Sequence, residues 1–139
     1  MEQKDYLLRE IEKIGVILGV TIQKIIGGKG NAAIAIEQQV ENAKEKLLDE
    51  INFNIDKFLD LNIEDSKEYI FNFEGFNANN IELLAKCFSE TGFTDNCVNS
   101  NKYLEKALQL YNLCNLKSKT YSLEREENIN TIKNALLFD

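Results

Sequence analysis

Apolar residues recur at helical spacing from near the start of the chain. Leu7, Ile11, Ile14, Leu18, Ile22 and Ile25 step by four and three residues, which predicts a helix over roughly 3–26. Leu8, Val16, Ile17, Val20 and Ile26 widen its apolar face beyond one stripe. A helix apolar on several sides must be covered by more than one neighbour. Gly15 and Gly19 lie four residues apart within it. Each costs about 1 kcal/mol against alanine in a helix interior, so the pair marks a close helix crossing. The crossing partner is either another helix of the chain or a second copy. Leu8, Gly15, Val16, Ile17, Gly19 and Val20 are the expected interface.

Gly27, Gly28, Lys29, Gly30 and Asn31 end this helix and cap the next. They do not form a phosphate loop. That motif needs a Lys followed by Ser or Thr, after a strand, whereas Gly30 follows Lys29 and a helix comes first.

The second predicted helix runs over about 32–60, with Ala33, Ile36, Val40, Ala43, Leu47, Ile51, Ile55 and Phe58 on one side. It should fold back on the first as a long antiparallel hairpin. Residues 62–78 break the pattern. They start polar, turn aromatic and hold Gly75, which reads as a linker with Tyr69, Phe71, Phe73 or Phe76 anchored on the core and a short helical turn near 67–71. Three shorter helices are expected next. One is capped at Asn79 and stops at Gly92, with Ile81, Leu84, Ala85 and Phe88 inward. One is capped at Asn99 or Ser100 and runs to about Cys114. One is capped at Ser122 and runs to about Leu137. The organisation is therefore an N-terminal hairpin over 1–62, a linker over 63–78 and a helical module over 79–139. The fold class is all-α.

Composition narrows the chemistry. The 139 residues include no proline, histidine or tryptophan. Without histidine, the commonest general base and metal ligand is missing. A di-iron bundle site wants Glu-x-x-His from two helices, and no calcium-loop pattern occurs. No metal or cofactor is expected. The cysteines, Cys87, Cys97 and Cys114, are odd in number and form no CxxC pair, which suits free thiols in a reducing cytoplasm. Cys97, near the loop before a helix, is the one thiol placed to react. The reading is of a protein that is not an enzyme.

The net charge is −7. Residues 37–74 concentrate it, with eleven acidic residues against four lysines. An acidic chain with no basic stripe is a poor nucleic-acid binder. Glu37, Glu41, Glu45 and Asp49 form a like-charged row at four-residue spacing, read as a solvated outer face or a docking face for a cationic partner. The longest uncharged run in the first helix is half the ~20 residues a spanning helix needs. Its polar side mixes Lys4, Arg9, Lys13 and Lys24 with Glu2, Asp5, Glu10 and Glu12, unlike a basic membrane-surface helix. No signal peptide or transmembrane segment is expected.

Leu83 to Phe88, Gly92, and the stretch from Tyr103 to Ala107, Leu108 and Tyr111 resemble a tetratricopeptide hairpin. In that family a Leu-small pair and an aromatic sit on the first helix. An alanine followed four residues later by an aromatic sits on the second, which Ala107 and Tyr111 match. The connection over 93–100 is longer than the family's turn, the closing proline is absent and there is no second copy. The 122–137 helix would act as a cap. Joined to the opening from Asp5 to Glu12, the chain is also similar to small bacterial helical proteins with no assigned activity. The resemblance implies a fold and a protein or peptide partner. The expected function is a non-catalytic interaction or scaffold protein that forms a homo-oligomer through its first helix. The alternative is an acidic immunity- or inhibitor-type protein that meets a basic partner through its 37–60 face.

Overall fold

With no proline to stop a helix, the chain punctuates its helices with asparagine. The computed structural model describes residues 2–27, 33–94 and 98–137, and among these it is all-α, with seven helices and no strand. Helix α1 spans Glu2–Gly27 and α2 spans Ala33–Ile51. The second helix was expected to continue to about residue 60. Instead Asn52 turns left-handed at φ 61°, a conformation asparagine tolerates better than most residues. Asn54 then caps α3 (Ile55–Asp60) by accepting from the Lys57 amide at 3.0 Å. Asn62 caps α4 (Ile63–Phe71) through the Asp65 amide at 2.8 Å. The stretch read as a linker is therefore largely helical. Asn77 caps α5 (Ala78–Gly92) two residues before the expected Asn79. Helices α6 (Ser100–Ser118) and α7 (Leu123–Leu137) follow, and Ser122 accepts from the Arg125 amide at the start of α7.

The break after α2 gives the core its centre. It turns Phe53 inward, where no part of it meets solvent. Its ring lies 4.8 Å from Phe76, 5.1 Å from Phe73, 5.2 Å from Tyr69 and 5.7 Å from Phe58, centroid to centroid. Full burial of such a ring stabilises by about 1.5–3 kcal/mol, and close edge or tilted pairs add to that. The Tyr69 hydroxyl accepts from the Asn54 amide at 2.9 Å, so α4 clamps the break it faces. Phe71, the fourth aromatic of this stretch, stays partly exposed. A single buried cluster runs from Ile14 to Ile132 and draws on α1 through α7.

Helix α1 sits between α2 and α5. It is antiparallel to α2, because Tyr6 and Arg9 at its start share a cleft with Asp49 and Ile51 at the end of α2. It is parallel to α5. Asn80 donates to the Ile11 carbonyl near the start of both helices, and the Cys87 thiol donates to the Leu18 carbonyl further along. Helices α5 and α6 form an antiparallel hairpin. At one end Ser100 Oγ donates to the Gly92 carbonyl at 2.6 Å, and at the other the Cys114 thiol donates to the Ala78 carbonyl. Gly92 lets α6 close in, since a Cβ there would lie 2.7 Å from Leu104 Cδ2. Helix α7 rests on α6.

Candidate interaction surfaces

Successive residues of a helix turn by about 100°, so neighbours in sequence face different surroundings. Along α1 this separates the expected interface residues. Ile17 is buried in the core at 7% exposure, so the chain's own helices already cover it. Gly15 lies against α5, where a Cβ would come within 3.3 Å of Asn80 Oδ1. That half of the glycine pair serves packing within the chain. Gly19 meets nothing within 4 Å. Leu8, Val16 and Val20 are 54%, 57% and 39% exposed, and Ile26, further along, is 51% exposed. An apolar strip therefore remains along the face of α1 that neither α2 nor α5 covers, with open glycine surface beside it.

The acidic row of α2 does not form one face. Four residues overshoot a helical turn by about 40°, so a row at that spacing winds around its helix. Glu37 and Glu41 border a groove toward α6, whereas Asp49 borders the cleft toward α1, beside Arg9 and Lys13. Glu45 is exposed and lines neither of these two hollows. The α6-side groove measures about 220 Å³, and its apolar lining includes Ile36, Val40, Val98 and Tyr103. Lys44 projects into it and pairs with Asp56 at 2.9 Å and Glu41 at 3.1 Å. Burial alone would lower this ammonium's pKa, but hydrogen bonds to Asp56 and Glu41 and the nearby Tyr103 hold it above the usual lysine value.

The interior holds polar groups that pattern reading did not single out. Lys106 is almost fully buried, and its ammonium donates to the Leu61 carbonyl, to Ser66 Oγ and to Gln109 Oε1. It also lies 5.0 Å from the centroid of Phe58. Burial lowers its pKa. The ammonium thus satisfies the carbonyl at the C-terminal cap of α3 and ties the α3–α4 corner to α6. Arg125 of α7 is similarly buried. Its guanidinium donates to Glu82 at 3.2 Å, to Asn115 Oδ1 at 2.8 Å and to the Thr120 carbonyl at 3.3 Å. The only sequence signal for Lys106 was its register, one helical step from the apolar Tyr103 and Leu110.

The chemistry of the thiols follows from burial. The Cys87 and Cys114 pKa values are each pushed up to about 12, chiefly by burial and further by nearby glutamates. Both remain protonated and sheltered, the opposite of an activated nucleophile. Cys97 and residues 28–31 lie outside the described residues. Among the described residues no three metal-ligating side chains converge, and no helix is long and apolar enough to cross a membrane. Comparison with protein-family models, with curated proteins and with solved structures finds no match to this chain.

Proposed function

We propose that this chain is a non-catalytic interaction protein that self-associates through α1. The observation that carries this reading is the strip of Leu8, Val16, Val20 and Ile26, exposed along one helix that is otherwise packed on two sides. Pairing α1 with α1 of a second copy removes this apolar surface from water, at about 25 cal/mol per Å² buried. Gly19 lets the two backbones approach. The buried free thiols suit a reducing cytoplasm. The α5–α6 hairpin, in which Ala107 and Tyr111 are buried, serves as a rigid platform behind this surface. Light scattering of the full chain over a concentration series tests the proposal. The expected result is an oligomer that Val16→Asp with Val20→Asp converts to a monomer of unchanged helical circular dichroism. A wild-type monomer throughout the series, or an oligomer indifferent to the double substitution, overturns it.

A second reading is favoured by the groove beside Glu37 and Glu41. In it the chain meets a basic partner protein through its acidic α2 side, and charge complementarity speeds association in a salt-sensitive way.

A further inference from the structure

The groove between α2 and α6 combines an apolar lining with an unbalanced charge. Ile36, Val40, Val98 and Tyr103 supply the apolar lining, and Glu37 and Glu41 stand on α2 beside them, one helical turn apart. Like charges at this spacing repel by a few tenths of a kcal/mol. Among the described residues the one cation lining the groove is Lys44, which is shared between Glu41 and Asp56. Glu37 has no ion-pair partner among the described residues. The groove thus keeps surplus negative charge at its edge.

Size decides what fits. Pockets for small-molecule ligands and cofactors usually run from about 300 to about 1,000 Å³. At about 220 Å³ this groove is below that range and matches one long side chain. A lysine or arginine has the complementary form, with an aliphatic stem for the apolar lining and a cationic head for the carboxylates. Arginine suits it better, because its planar fork can bridge two carboxylates one turn apart.

We propose that this groove is an anchor subsite that takes a single arginine side chain from a basic partner protein. The proposal rests on the second reading above and deepens it. It divides the acidic row into an anchoring pair, Glu37 and Glu41, and two bystanders, Glu45 and Asp49.

The test is NMR titration of the full-length chain with N-acetyl-arginine methylamide, with the uncharged glutamine analogue as control. The expected result is saturable shifts of amides within 36–44 and 98–103, absent with the glutamine probe. Glu37→Gln with Glu41→Gln should weaken binding by about ten-fold or more, the loss expected for a charge-assisted contact. Glu45→Gln with Asp49→Asn should leave it unchanged. Shifts spread along the whole acidic row and insensitive to the first pair overturn the subsite but keep the acidic-face reading. No shift with arginine overturns the subsite as well, and a deca-lysine peptide that also fails to bind removes the broader reading with it. Shifts in 36–44 and 98–103 that depend on protein concentration without probe make the occupant a second copy, which overturns the proposal too.

Discussion

The Asn80 side-chain amide donates at 2.9 Å to the main-chain carbonyl of Ile11, one helix away and 69 residues earlier. The same nitrogen donates at 2.8 Å to the Gly75 carbonyl. One buried amide thereby joins α1, the turn before α5, and α5 itself. Removing it deletes two hydrogen bonds made by a buried side chain, so Asn80→Ala should cost about 1–3 kcal/mol. Asn80→Asp should cost more, because a carboxylate then faces two carbonyls. Its protonated form can still donate, so its folded-state pKa is raised. Stability of that variant should be greater at acidic pH and fall as pH rises through the raised value. Urea denaturation of the two variants at acidic and neutral pH checks both statements.

Two glycines should respond to alanine with opposite signs. At Gly75 a Cβ would sit 2.6 Å from Glu10 Cγ and 2.9 Å from the buried Ile14 Cδ1. Overpacking there should cost about 1–3 kcal/mol. At Gly19 a Cβ meets nothing, so Gly19→Ala should stabilise the folded chain by up to about 1 kcal/mol through helix propensity. If α1 pairs with a second copy at Gly19, the same change weakens the oligomer. Chemical denaturation and light scattering on one sample separate these effects.

Alkaline pH should loosen the protein through its thiols. Cys87 and Cys114 ionise near 9.0 when exposed and near 12 in the fold. The unfolded chain therefore sheds these protons first as pH rises. Their contribution is complete below about pH 9 and is lost toward pH 12, at about 1.4 kcal/mol per pH unit for each thiol. Urea midpoints measured from about pH 8 to about pH 11 should fall in the wild type and fall less steeply in the Cys87→Ala, Cys114→Ala variant. Equal slopes would mean that other groups, such as the buried Tyr111 phenol, carry the alkaline response.

How far the sequence foretold the fold depends on the kind of signal. The amphipathic helices were legible, because apolar spacing reports burial directly. Asn52 and Asn54 were not legible as a helix break, because asparagine marks turns, caps and helix interiors alike, and only the inward turn of Phe53 decides among them. For the same reason Asn62 reads as linker although it opens α4, and the cap of α5 was placed at Asn79 rather than Asn77. On α1 the pattern showed more apolar surface than one neighbour could cover, but not which residues would be left over. The 100° step from Val16 to Ile17 separates exposed strip from core, and it takes the positions of α2 and α5 to resolve it. The winding of the acidic row was available from helix geometry alone. That its ends border different hollows was not, because the other walls come from α6 and α1.

Helix α7 shows where the chain can come apart. It buries Ile129 and Ile132, but its deepest polar tie is Arg125, held by Glu82, Asn115 and the Thr120 carbonyl. Two buried apolar residues and two ion pairs, Arg125–Glu82 at 3.2 Å and the more exposed Lys86–Glu124 at 3.4 Å, are a light anchorage, and an element so held has the low opening free energy typical of partial unfolding. Helix α7 should therefore open while the aromatic centre around Phe53 stays intact, and amide exchange should run fastest through 123–137 among the long helices. Such opening would briefly bare the side of α6 on which α7 rests, and exchange protection of that side should fall with that of α7.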